Sequence, residues 1–431
     1  MKEEQLFLYR ELPHEDILRD MVYFVENYEK DWDAQERRKF LYDLCSRLLN
    51  LSGSHGFYGN LWHCYLTYLL VNSENVYSMP CEITGIMEGT MNEMALKDFG
   101  IFMDFFQYDL EGIFKEIHEE SFCMLLSFEG NGVKSKIYNA RIRDYICQTA
   151  RKLAKVENAA QIKNIMENFY KNYGVGKLGL HKAFRVAERE DGQGAKIVPI
   201  LNIAHVYLDD LVGYEIPKQK LIANTEAFVE GRKANNCLLF GDAGTGKSSC
   251  IKGILNEYYD SGLRIIEVYK HQFHLLHDVI EQIKDRHYKF IIYMDDLSFE
   301  EFEIEYKYLK AIIEGGLESK PENVLIYATS NRRHLIKETF NDKKDRDEEL
   351  HTSDTVQEKL SLVNRFGVTI FFSAPDKKQF QNIVKVLAER HGIEMPEDEL
   401  LLEANKWELS HGGLSGRTAQ QFIHYLLGKQ D

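Results

Sequence analysis

Gly241-Asp-Ala-Gly-Thr-Gly-Lys-Ser248 has the form G-x-x-x-x-G-K-[ST], and its flanks decide the fold. An apolar run, Cys237-Leu-Leu-Phe240, leads in, and a helical pattern from Lys247 to Tyr258 leads out. Glycines let the backbone turn tightly, so that successive N–H groups face one phosphate chain. A helix beginning there adds its positive end. The loop atoms from Gly241, Asp242, Ala243, Gly244, Thr245 and Gly246 through Ser249 are therefore candidate phosphate ligands. Lys247 reaches toward β/γ-phosphates, and the Ser248 hydroxyl suits Mg²⁺. A chance glycine-rich loop would not need both flanks to be right.

Outward from this loop, short β-branched or aromatic runs alternate with helical patterns. The runs are Cys237–Phe240, Arg264–Tyr269, Phe290–Met294, Val324–Ala328 and Val368–Phe372. Such alternation predicts βαβ units, and hence an α/β fold with a doubly wound parallel sheet. Phe290-Ile-Ile-Tyr-Met-Asp-Asp296 ends a strand in two carboxylates. A phosphate-loop site needs one acid for Mg²⁺ and another to position the attacking water. Asp295, at the strand end, suits the metal, and Asp296 suits the water. Two aspartates also end strands as plain turn residues; the phosphate loop nearby is what favours the chemical reading.

The first 170 residues read mostly as helix. Apolar positions keep to one face over His14–Glu29 and Ala34–Asn50, and helical patterns recur at about 56–71, 100–119, 137–156 and 159–172. No fixed-period repeat supports a solenoid. The clusters Trp62-His63-Cys64 and Phe102, Phe105, Phe106 read as core. A polar, glycine-punctuated stretch, Glu188 to Gly194, marks the expected boundary. The division expected is a helical accessory domain over 1–185, a linker over 186–198, a nucleotide domain over 199–375 and a helical lid over 376–431.

With 431 residues, 44% hydrophobic and 12% aromatic, the chain is long enough for two or three folded domains. Its net charge of −15 is shared by both halves: Lys and Arg number 24 against 30 acids over residues 1–200, and 29 against 38 beyond. Net charge therefore gives no support to indiscriminate nucleic-acid coating. Seven scattered cysteines without a C-x-x-C indicate reduced thiols rather than disulfides or structural zinc. MKEEQLFLYREL lacks the pattern of a signal peptide, and the longest apolar stretch, Leu61 to Val71, is too short for a bilayer. A cytoplasmic protein with no membrane partner is expected.

The order phosphate loop, Asp-Asp strand, then Val324-Leu-Ile-Tyr-Ala-Thr-Ser-Asn331 resembles the AAA+ ATPase module over about residues 204–431. That resemblance implies that Asn331 is sensor 1, on the γ-phosphate side. Asp210-Leu-Val-Gly-Tyr214 resembles the adenine-side box, which implicates Val212 and Gly213. Leu362-Val-Asn-Arg-Phe-Gly367 resembles the box carrying the arginine finger, here Arg365. Gly413-Leu-Ser-Gly-Arg417 resembles sensor 2, with Arg417 facing the phosphates from the lid. More narrowly, MDDLSFE, IEGGLESKPENVLIYATSNRRHLI and EKLSLVNRFG look like the bacterial family filed as domain of unknown function 815. Its motif style is that of initiator and helicase-loader ATPases.

The resemblance implies an ATPase that uses ATP and Mg²⁺ and works as a homo-oligomer, a ring or an open arc, on a macromolecular partner. Lys247, Asp296, Asn331 and Arg365 would carry catalysis; Ser248 and Asp295 would hold the metal. Two departures bear on this. Asp296 stands where many AAA+ motors have the longer Glu, and Ile265–His287 contains no aromatic-apolar-glycine pore loop. A nucleotide-switched assembly scaffold with little hydrolysis therefore stays open beside the ATPase. So do plainer readings of Arg365 as a salt-bridged arginine and Arg417 as a solvated helix-start charge. In Lys177–Arg185, a helical face carrying Lys182 and Arg185 toward phosphate competes with simple packing. Lys343–Glu349 reads as a solvated charged loop.

Overall fold

A computed structural model describes all residues except 1, 31, 131–134, 190, 193, 300–304, 315–320, 332–361 and 430–431. The charged loop Lys343–Glu349 and the segments Gly315–Lys320, Arg332–Ile336 and Glu358–Ser361 of the family-like stretches lie outside the described residues. The chain forms two compact units, Met1–His181 and Lys182–Asp431.

The first unit is helical: α1 (Glu15–Asn27), α2 (Ala34–His55), α3 (Leu61–Asn72), α4 (Ser78–Thr84), α5 (Thr90–Phe106), α6 (Leu110–Glu116), α7 (Ala140–Leu153), α8 (Ala159–Tyr173) and α9 (Gly176–Leu180). In α3 every residue from Leu61 to Val71 except His63 is buried. A helix apolar all round belongs at the centre of a bundle, and α3 packs against α2, α5, α7 and α8. Trp62 donates its indole N–H to the Phe105 carbonyl at 2.9 Å, which satisfies the one polar atom it buries. The single helical pattern expected over 100–119 is two helices. Asp109 breaks it by capping α6, accepting the Gly112 N–H at 2.9 Å.

The second unit contains β1 (Ala183–Glu188), β2 (Ala195–Pro199), α10 (Glu215–Val229), β3 (Cys237–Gly241), α11 (Lys247–Tyr258), β4 (Leu263–Glu267), α12 (Leu276–Ile283), β5 (Lys289–Met294), α13 (Glu305–Glu314), β6 (Val324–Ser330), β7 (Val368–Phe372), α14 (Lys377–Arg390), α15 (Glu397–Ser410) and α16 (Gly416–Leu427). The sheet order is β2-β1-β4-β5-β6-β3-β7. All neighbours are parallel except the β1–β2 hairpin. Helices cover the sheet, so β6 is buried at all seven positions and β5 from Phe290 to Met294. This is a doubly wound α/β phosphate-loop core, with the loop at the carboxyl end of β3. The terminal helices α14, α15 and α16 close around their own apolar core, which includes Phe380, Val384, Ala404 and Phe422.

Two expectations fail here. Residues 186–198 are not a linker: they span most of the β1–β2 hairpin, which joins the sheet through β1 and β4. Of the polar stretch, Glu188 ends β1 opposite Ala195 of β2, and between them Gly192 and Gly194 have φ 69° and 101°. Nor do Lys182 and Arg185 share a helical face. Helix α9 ends at Leu180, and Phe184 and Val186 alternate inward along β1 with Arg185 exposed. Among the described residues no helix is long and apolar enough to cross a membrane.

Candidate functional site

The phosphate loop turns on glycines the backbone requires. Gly241 has φ 133° and lies opposite Phe372 in the β3–β7 register. A Cβ there would meet the Phe372 carbonyl oxygen and approach its carbon to 2.8 Å. Gly241→Ala should therefore destabilise the fold by about 2–4 kcal/mol, combining collision with backbone strain; a thermal or denaturant melt measures it. Gly246, at φ 89°, starts α11. Asp242 is locked in place: its N–H reaches the Phe372 carbonyl at 3.0 Å, and its carboxylate accepts the Ala374 N–H at 2.7 Å.

Lys247 is buried, and its ammonium donates to the carbonyls of Gly241 (2.9 Å) and Asp242 (2.6 Å). Burial pushes it below the ordinary lysine range, against the pull of Asp242, Asp296 and Asp295, while Arg417 adds to the lowering. One cation facing three aspartates is the electrostatic arrangement a bound polyphosphate with a metal ion would complete.

Asp295 is held by a triad of hydroxyls. Its Oδ1 accepts from Ser248 (2.8 Å), Tyr293 (2.6 Å) and Thr329 (2.6 Å). Burial would raise its pKa, but the bonds from Thr329, Tyr293 and Ser248, with the Asp296 backbone, outweigh it and hold the carboxyl below its usual value. A hydroxyl and an ionised carboxylate side by side are hard oxygen donors of the kind Mg²⁺ takes while keeping several waters. Ser248 and Asp295 would hold that ion, and it would supply charge neutralisation to the phosphates.

Asp296 adopts the left-handed region, at φ 49°, uncommon outside glycine. Thr329 Oγ accepts its N–H at 3.0 Å, and Asn331 donates its side-chain N–H to Asp296 Oδ1 at 2.8 Å. Strand β6 and the residue after it thus set both carboxylates, through Thr329 and Asn331.

The lid touches the loop directly. Arg417 donates its backbone N–H to the Gly244 carbonyl at 3.1 Å, and its side chain is exposed. A Cβ on Gly416 would lie 3.3 Å from that same carbonyl. The segment 210–214 lies between loop and lid: a Cβ on Gly246 would lie 3.3 Å from Leu211 Cδ2, and Val212 packs on the lid core. Gly213 follows at φ 82°. Arg390 of α14 ties the lid to this segment by donating to the carbonyls of Asp209 (2.7 Å) and Asp210 (2.8 Å).

Of the residues expected from sequence, Lys247, Ser248, Asp295, Asp296, Asn331 and Arg417 converge on the loop. Arg365 does not. It precedes β7, whose Val368 pairs with Cys237 at the amino end of β3, while Phe372 pairs with Gly241 at the loop end. The strand alone separates them by about 13 Å. Sequence reasoning missed Tyr293, Thr329 and Arg390. The first two lie in strands whose other residues are core, and nothing local distinguishes their hydroxyls.

Residues 180–430 match the family model described as "Protein of unknown function (DUF815)". No curated protein matches the chain. Among solved structures, a proline-to-glycine variant of Thermotoga maritima RuvB is 16% identical, with TM-score 0.34, covering 51% of this chain and 64% of that one. A lysine-to-arginine variant of the same protein is 13% identical, with TM-score 0.31, covering 52% and 73%. This chain thus spans just under two thirds of the first.

Proposed function

The chain belongs to the DUF815 family, and we propose that its second unit is an AAA+-type module that binds ATP with Mg²⁺ and hydrolyses it to ADP and phosphate. The observation that carries this reading is the Ser248–Asp295 contact at 2.8 Å beside a buried Lys247, with Asp296 and Asn331 hydrogen-bonded next to them. In this reading the loop N–H groups and Lys247 bind the phosphates, and Ser248 and Asp295 orient the metal. Asp296 takes the proton of the attacking water. Asn331 and Arg417 respond to the γ-phosphate, while Arg365 serves the site of an adjacent subunit. Work is done on a macromolecular partner by a cytoplasmic homo-oligomer.

Lys247→Ala tests the binding step. The substitution removes a buried side-chain cation from the loop, so ATP affinity should weaken at least tenfold, about 1.4 kcal/mol. Unchanged affinity in a calorimetric titration would refute the phosphate site.

A second reading, a nucleotide-switched scaffold with slow turnover, is favoured by one contact. The Asn331 amide occupies Asp296 Oδ1 at 2.8 Å, and Asp is one methylene shorter than the Glu it replaces. Comparing basal phosphate release with nucleotide-dependent assembly separates the two.

A further inference from the structure

Two of the seven cysteines meet inside the first unit. Cys64 lies in the first turn of α3 and Cys147 in the middle of α7. They are 83 residues apart in sequence, yet their sulfurs lie 3.8 Å apart. Both side chains are buried. Cys64 shares its S–H between the Cys147 sulfur and the Tyr58 carbonyl, 3.4 Å away. Two thiols in contact also serve simply as small core side chains. Two features set this pair apart. The first is the uneven sharing of the proton. Because Cys64 donates to Cys147, the Cys147 thiol is held below its ordinary pKa, while that of Cys64 is pushed well up. Burial by itself does the opposite to a thiol, as at Cys45, which it pushes up to about 12.

The second feature is what covers the pair. Arg143, Cys147 and Arg151 follow one another at intervals of four along one side of α7. Residues 143 and 151 are about 12 Å apart along the helix axis. Their guanidinium groups nevertheless rest by the same ring, 5.7 Å and 5.4 Å from the Tyr58 centroid. The ring therefore lies level with Cys147, and its hydroxyl is tied to Asp144 at 3.2 Å. Arg143 is ion-paired to Asp144 at 2.8 Å. Arg151, exposed and without an ion pair among the described residues, is the cation of this stripe left to favour a thiolate nearby. The thiols thus sit one layer below the surface, under a half-buried tyrosine.

We infer that Cys64 and Cys147 are an oxidisable dithiol, a modification site that hydrogen peroxide converts to a disulfide joining α3 to α7. The Cys147 thiolate attacks one peroxide oxygen and the O–O bond breaks, giving a sulfenic acid on Cys147 and hydroxide. That hydroxide takes the Cys64 proton and becomes water. The Cys64 thiolate then bonds to the Cys147 sulfur, and the sulfenic oxygen leaves as hydroxide. It becomes a second water with the proton Cys147 first gave up. Two electrons pass from the sulfurs to the peroxide. The sulfurs have about 1.8 Å to close, and each turns about its own Cα–Cβ bond. A reagent reaching a sulfur beneath Tyr58 must be small and uncharged, which favours peroxide over a bulky disulfide. This site belongs to the first unit and does not depend on the ATPase reading.

The test treats the full chain, reduced and then freed of reductant, with about two equivalents of hydrogen peroxide. Alkylation with N-ethylmaleimide in denaturant, then a peptide map without reductant, should show the Cys64 and Cys147 peptides joined. About one peroxide should be consumed per link, and dithiothreitol should restore both thiols. Cys123, only half-buried, should be oxidised roughly tenfold more slowly or less. In the urea-unfolded chain the same treatment should scatter links among the seven cysteines. Cys64→Ser should leave a sulfenic acid on Cys147 that dimedone captures, and Cys147→Ser should leave Cys64 unreacted. The wild-type map decides even where a serine variant folds poorly. The inference is overturned if both cysteines stay alkylatable once the peroxide is consumed, or if Cys123 is oxidised first. It is also overturned if the link forms only in the unfolded chain, or if Cys147 passes to the sulfinic acid without joining Cys64.

Discussion

Asp296→Asn should leave ATP binding intact while lowering hydrolysis by about 10²-fold or more, the scale of a lost general base. The substitution keeps the shape. The left-handed backbone at residue 296 tolerates Asn well, and the new amide oxygen can still accept from Asn331. What disappears is the carboxylate proposed to take the proton of the attacking water. Asp295 is already committed: one of its oxygens accepts from three hydroxyls, and those bonds hold its carboxyl below the ordinary value. Phosphate release beside a fluorescent-nucleotide titration separates binding from chemistry. Were Asp295→Asn to abolish turnover with Asp296→Asn silent, the roles assigned to the two carboxylates would be wrong.

How much of this site could be read from sequence depends on how local each geometry is. The phosphate loop is eight consecutive residues, and its glycines state their own backbone needs. The strand ending in Asp295 and Asp296 announces itself for the same reason. Tyr293 and Thr329 do not, because their meaning depends on register. Strands β5 and β6 pair Tyr293 with Tyr327 and Met294 with Ala328, which brings Thr329 alongside Asp295. A tyrosine in an apolar run is otherwise simply core. The β1–β2 hairpin was hidden differently. The sequence between Glu188 and Ala195 has the composition of a linker, and the parallel partner of β1, β4, lies some eighty residues away. Arg390 sits in the last turn of α14, where a basic residue is expected for helix-dipole reasons; only the fold brings the carbonyls of Asp209 and Asp210 to it.

Arg365→Ala should leave ATP affinity near normal and suppress hydrolysis by on the order of 10³-fold, the loss typical of an arginine finger. The within-chain geometry makes a trans role the natural one. Arg365 belongs to the amino end of β7, and the phosphate loop to the carboxyl end of β3, with the length of the strand between them. An arginine side chain spans about 7 Å, and the gap is about twice that. The action proposed for it on a γ-phosphate is therefore one across an interface, where it would meet charge that develops in the transition state. Mixing makes the prediction sharp. Arg365→Ala subunits retain Asp296, and Asp296→Asn subunits retain Arg365. Where the two meet, one site combines a working carboxylate with a working finger, so mixtures should regain activity that neither variant shows alone. Subunit exchange is checked independently by energy transfer between labelled copies. Exchange without recovered activity, or full hydrolysis by a wild type that stays monomeric in every nucleotide state, would show that Arg365 is not a finger in trans.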